Sequence, residues 1–254
     1  MSLSLRYEGQ EVATVTVGDE PTLRVSKKQA ARNLNYFGID NPPGTFAWNG
    51  KDAATFRKAF KKAIGGKAPK SEERKVEARI LKQLEVRVGA TKFAGTLRNV
   101  RHCGLTKHEY PLQIPVPISA NTGLPKSSRG NIDILARRGG PRRLSVWELK
   151  RPGAFADALA QAYIYAVTLV LMLRGKQGDV WYRNFCFNQP VPAKLHIEAV
   201  AVVTADQAGK LAKARAELAA CPLDLIAESA RISLHVAYYD PKDLKIRWVE
   251  LGPR

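Results

Sequence analysis

The chain reads as an α/β protein, and three observations predict this class. Two short apolar runs, Asn131-Ile-Asp-Ile-Leu-Ala136 and Leu144-Ser-Val-Trp-Glu-Leu-Lys150, have strand composition and flank a turn signal, Arg137-Arg-Gly-Gly-Pro-Arg-Arg143. A helical stretch from about Ala154 to Leu173 follows them at once. Strand and helix patterns then alternate to the C-terminus, the order expected when helices cover a sheet. With 254 residues, the chain is long enough to bury a full core.

In chain order, Leu3 to Arg6, Glu11 to Val17 and Thr22 to Val25 alternate like strands of a small meander, with Gly9 and Gly18-Asp19 as turns. A helix from about Lys27 to Tyr36 stops at Gly38. Ile39 to Gly50, carrying Pro42-Pro43-Gly44 and Trp48-Asn49-Gly50, reads as loop, and a second helix from about Asp52 to Ile64 ends at Gly65-Gly66. Residues 1–66 are therefore expected to be a small N-terminal α+β elaboration. It carries no readable chemistry and is suited to scaffolding, substrate orientation or contact within a homodimer. Residues 67–254 form the second unit. Its helix from Ser71 to Glu85 has Ser71 as N-cap. A strand near Gln113 to Pro117 precedes the 131–150 hairpin and the long helix. A strand from His196 to Thr204, a helix from Asp206 to Ala220, and strands Ile232 to Tyr239 and Lys245 to Leu251 complete the chain. His196 and His235 fall in strand patterns and read as core-edge residues.

Chemistry concentrates in the hairpin. Side chains alternate along a strand, so Glu148 and Lys150 share one face while Trp147 and Leu149 share the other. An apolar strand has no packing reason to set two charges side by side. The turn folds the two runs together and brings Asp133 towards Glu148. Two convergent carboxylates suit Mg²⁺, which takes one or two carboxylates together with waters and phosphate oxygens. Lys150 is then placed to orient or help deprotonate an attacking water and to offset charge on a phosphate. His102, Cys103 and His108 lie close together but lack partners at zinc-ligand spacing. No glycine-rich phosphate loop precedes a helix.

An Asp followed on the next strand by Glu-x-Lys, here Asp133 and Glu148-Leu-Lys150, resembles the pattern of the PD-(D/E)XK nuclease superfamily. Gln161-Ala-Tyr-Ile-Tyr165 on the following helix is similar to its QxxxY element, and Gln161 and Tyr165 share a helix face at i, i+4. Ile132 stands where the superfamily usually has Pro. The resemblance spans roughly residues 70 to 205. It implies a restriction-endonuclease-like αβββαβ core, a mixed central sheet flanked by helices. It also implies a Mg²⁺-dependent endonuclease, with Mn²⁺ as a substitute, that hydrolyses phosphodiester bonds of DNA. Asp133, Glu148 and the Leu149 carbonyl would bind the metal. A helix carboxylate would join them. Glu77 and Glu73 both fall near the apolar face defined by Val76, Ile80, Leu81, Leu84 and Val88, and Glu77, one turn deeper, is the better candidate. The catalytic set is then Asp133, Glu148, Lys150, Glu77, Gln161 and Tyr165. The alternative is a catalytically silent nucleic-acid-binding module of the same fold.

Charge supports a polyanionic partner. The chain has 41 Lys plus Arg against 23 Asp plus Glu, a net +18. Residues 1–56 carry an excess of 0, residues 57–151 of +16 and residues 152–254 of +2, so the surplus sits with the hairpin. Arg137, Arg138, Arg142 and Arg143 are the candidate nucleic-acid contacts. No basic amphipathic helix favours a membrane. Three scattered cysteines, Cys103, Cys186 and Cys221, and an N-terminus without a long apolar core lead to an intracellular, cytoplasmic expectation.

Overall fold

Residues 2–7, 10–16, 20–66, 77, 100–102, 114–118, 125–138, 143–151, 157–184, 190–207, 228–242 and 246–250 are described by the structure, a computed structural model. The N-terminal alternation produces β1 (Ser2–Tyr7), β2 (Gln10–Thr16) and β3 (Thr22–Val25), paired antiparallel in sequence order. Their buried face carries Leu5, Val12, Val15, Leu23 and Val25. Ser26 then starts helix α1 (Lys27–Arg32) through a capping box. Its hydroxyl accepts from the Gln29 N–H at 3.2 Å, and its own N–H donates to Gln29 Oε1 at 2.7 Å. The helix continues as a π turn, Asn33–Phe37, and Gly38 ends it at φ 65, a left-handed conformation in which any Cβ is strained.

Residues 44–47, expected to be loop, instead form β4 (Gly44–Ala47), which pairs antiparallel with β3 from Thr22↔Ala47 to Val25↔Gly44. Four residues after a Pro-Pro pair carry little strand signal, and the free edge of β3 recruits them. Helix α2 (Lys51–Gly66) follows, with the Arg57 guanidinium 4.8 Å from the ring centre of the buried Trp48.

A six-stranded mixed sheet forms the second layer. Its members are β5 (Val100–His102), β8 (Ile134–Arg138), β9 (Arg143–Leu149), β10 (Leu195–Thr204), β11 (Ala230–Tyr239) and β12 (Ile246–Glu250). The order is β12-β11-β10-β9-β8-β5, with β9, β10 and β11 parallel and the outer pairings antiparallel. The third strand of the hairpin meander is thus β5, and the 113–117 run does not fill that position. That run is β6 (Ile114–Ile118), paired with β7 (Pro125–Ile132) in a separate two-stranded sheet. Pro115 and Pro117 remove two N–H donors from one edge of β6, which disqualifies it as an inner strand.

Parallel β9 and β10 require a crossover, and helix α3 (Ala158–Arg174) supplies it. Its buried Ala162, Tyr165, Ala166, Leu169 and Leu173 join Leu144, Val146, Ile197, Ala199, Ile232 and Leu234 of the sheet in one apolar cluster. That cluster also contains Leu5, Val15, Phe56 and Phe60, so the N-terminal unit shares a continuous core with the larger one. The helix starts at Ala158, directly after Asp157, whose φ of 64 is not helical; residues 154–156 of the expected helix lie outside the described residues. A further helix, α4 (Gly178–Asn184), was not expected; it turns tightly off α3, where a Cβ on Gly178 would meet the Leu173 carbonyl oxygen at 1.8 Å. Among the described residues no helix is long and apolar enough to cross a membrane.

Candidate active site

Strand β9 carries the arrangement. Leu144 and Val146 pack under α3, so the same face presents Glu148 at the C-terminal end of the strand, near where the helix begins. Glu148 is buried, with 6% of its surface exposed. Lys150 follows on the same face, and its Nζ donates to Glu148 Oε1 at 2.7 Å and to Gln161 Oε1 at 2.5 Å. The strand periodicity therefore read the Glu148–Lys150 relation correctly. Gln161, in the first turn of α3, joins the pair.

Asp133 occupies a joint. The run 131–136, read as one strand, breaks there: residues up to Ile132 belong to β7, and Ile134 onwards pairs with β9. Ile134↔Trp147 is the last pair of the β8–β9 ladder, and one step further sets Asp133 opposite Glu148. Asp133 Oδ2 accepts the Leu149 N–H at 3.0 Å, taking the place of the carbonyl that a continuing strand would offer. Asp133, Glu148, Lys150 and Gln161 thus meet at one corner, outside the C-terminal ends of parallel strands, where open α/β sheets hold ligands.

The corner has one supporting residue that the sequence did not single out. The Lys150 backbone N–H donates to the Val202 carbonyl at 3.0 Å, and its carbonyl accepts the Tyr239 hydroxyl at 2.9 Å. Tyr239 is buried and lies on β11, two strands away from β9. An aromatic at the end of an apolar strand was visible in the sequence. Its contact was not, because it depends on the spatial order β9-β10-β11.

The remaining candidates fall elsewhere. Tyr165 is buried one helical turn beyond Gln161, within the apolar cluster. Glu77 is helical and half-buried, while Glu73 and the rest of that helix lie outside the described residues. Arg137 and Arg138 are not in the turn as expected; they belong to β8, opposite β5. Arg142 lies outside the described residues, and Arg143 is exposed at the start of β9. A hairpin keeps its turn away from its open end, so Arg143 stands five residues from Glu148, about 16 Å along the strand. It therefore cannot share a phosphate with Glu148.

Among the described residues no group of three or more His, Cys, Asp and Glu side chains converges as metal ligands. The oxygen donors at the corner are the carboxylates of Asp133 and Glu148, which fits an ion that keeps several waters and takes one or two carboxylates. Zinc more often takes nitrogen and sulfur ligands. Comparison with family models, curated proteins and solved structures gives no match.

Proposed function

We propose that the protein is a metal-dependent nuclease of the PD-(D/E)XK type that hydrolyses phosphodiester bonds in DNA. The observation that carries this reading is the corner itself: two carboxylates, a lysine and a glutamine brought together from the joint between β7 and β8, the end of β9 and the first turn of α3. The antiparallel β5-β8-β9 meander, followed by α3 and a parallel β10, supports the restriction-endonuclease-like part of the proposal. The +16 excess over residues 57–151 supports a nucleic-acid partner.

Asp133 and Glu148 would hold Mg²⁺ or Mn²⁺, with the Leu149 carbonyl beside them and Glu77 as the helix carboxylate that completes the set. The ion would supply Lewis-acid stabilisation of the phosphate. Lys150 has the protein's own part. Its Nζ, anchored by Glu148 and Gln161, orients the attacking water and balances negative charge as the phosphate is attacked. Gln161 holds that amine at a fixed angle, and Tyr165 packs the helix that carries Gln161.

One observation favours a silent binding module: Lys150 Nζ is closed onto Glu148 Oε1 at 2.7 Å, so the chain's own cation already balances that carboxylate. The two readings separate in one experiment. The chain is incubated with duplex, branched and single-stranded DNA and with RNA, in Mg²⁺, Mn²⁺ or chelator. Cleavage that chelation stops is expected; salt-sensitive binding with no cleavage under any metal identifies the silent module.

Tyr239 provides a finer test. Tyr239→Phe keeps the buried ring but leaves the Lys150 carbonyl without its donor, a loss of about 1 kcal/mol in stability. Because the bond fixes the lysine backbone and touches no substrate, kcat should fall by roughly 5- to 10-fold, equivalent to about 1–1.4 kcal/mol, with KM unchanged. A rise in KM at constant kcat would assign Tyr239 to substrate binding.

A further inference from the structure

Strands β9, β10 and β11 begin side by side, and their leading residues on one face are all basic. Arg143 is in register with His196, and His196 with Arg231. Lys194 precedes His196 by two residues, and all four are exposed. Neighbouring strands lie about 4.8 Å apart, so the row is about 10 Å wide. Arg143 and Arg231 therefore flank His196 from both neighbouring strands, and gathering like charges on one face of a sheet is unfavourable. Packing offers no reason for them here. The next row inward on this face is Ser145, Glu198 and Ser233, where the Ser145 hydroxyl donates to Glu198 Oε2 at 2.7 Å. Among the described residues, no carboxylate forms an ion pair or hydrogen bond with Arg143, Lys194, His196 or Arg231.

A second sign of uncompensated charge is the proton affinity of His196. It is lowered by partial burial of the ring, then by Arg143, Arg231 and Lys194. Cations flank His196, and among the described residues no acid pairs with them, which marks an anion site. The row faces away from Glu148 and lies about 16 Å along β9 from it, so it cannot serve the reacting phosphate.

We propose that Arg143, His196, Arg231 and Lys194 form a second binding site that holds the sugar-phosphate backbone of a nucleic acid away from the chemistry. It rests on the nuclease reading for the class of ligand. A row about 10 Å wide is long enough to meet about two neighbouring phosphates of one strand. An anionic membrane is disfavoured, because interfacial binding buries apolar side chains beside the basic ones. Among the described residues the large exposed apolar side chains are Leu34, Tyr36 and Leu171, none of them on the row.

The test follows His196 by NMR in the full chain, without divalent cation so that nothing is cleaved. Adding a DNA duplex should raise the pKa of His196, because phosphate offsets the neighbouring cations. In the double variant Arg143→Gln with Arg231→Gln, the salt dependence of DNA affinity should flatten by about two units. A His196 titration unmoved by DNA, or moved only by phosphatidylserine vesicles, overturns the proposal. An unchanged salt slope in the double variant does so too. The two readings fail separately. Cleavage with an unmoved His196 leaves the nuclease without this site, whereas a shifted His196 in a chain that cleaves nothing leaves the site without the nuclease.

Discussion

Asp133→Asn, Glu148→Gln and Lys150→Met should each lower turnover by on the order of 10³-fold or more, since each removes a metal ligand or the amine beside it. Groups that act as one unit give single losses close to the full effect. The structure adds a distinction for Asp133, which also caps the Leu149 N–H at 3.0 Å. Asparagine keeps an acceptor there and loses only the charge, whereas Asp133→Ala loses both. Equal activity loss in the two, with a lower melting temperature only in the alanine variant, is the expected pattern. Lys150→Met should also melt lower, because it removes the ammonium that Glu148 accepts from within a buried site. Single-turnover cleavage and circular-dichroism melts measure both quantities. Near wild-type turnover in any of the three would remove that residue from the site.

Trp147→Ala is expected to cost about 3–5 kcal/mol, the range for truncating a fully buried large aromatic, and to lower the melting temperature by roughly 10 °C. Trp147 is 0% exposed, stands opposite Ile134, and lies on the face of β9 away from Glu148. Its bulk therefore secures the register as well as the core. A slip of one residue would send Trp147 to the site face and Glu148 to the other. Trp147→Phe should recover much of the stability and all of the register. Chemical denaturation of the three proteins gives the comparison. A loss below about 1 kcal/mol in the alanine variant would show that the far face of the sheet is loosely packed.

Alternating apolar and charged residues determined, without any tertiary information, that Glu148 and Lys150 share a face of one strand. The periodicity of residues 154–173 likewise made the following helix legible, whereas Gln161 was named from the resemblance of residues 161–165 to the QxxxY element. These are short-range facts, governed by the two-residue repeat of a strand and the 3.6-residue turn of a helix. Local signals failed where pairing decided the outcome. Residues 44–47 became a strand because β3 had an edge to fill, and the prolines of β6 excluded it from the main sheet in favour of Val100–His102. Asp157 set the start of the helix at Ala158 through a left-handed backbone that its residue type alone does not announce. The strand order β9-β10-β11 then brought the Tyr239 hydroxyl to the Lys150 carbonyl across 89 residues of sequence. The same order aligned Arg143, His196 and Arg231, which no window along the chain could unite. Hydrogen bonds between distant strands set such neighbours, so only the tertiary structure decided which groups support the site and where the uncompensated charge collects.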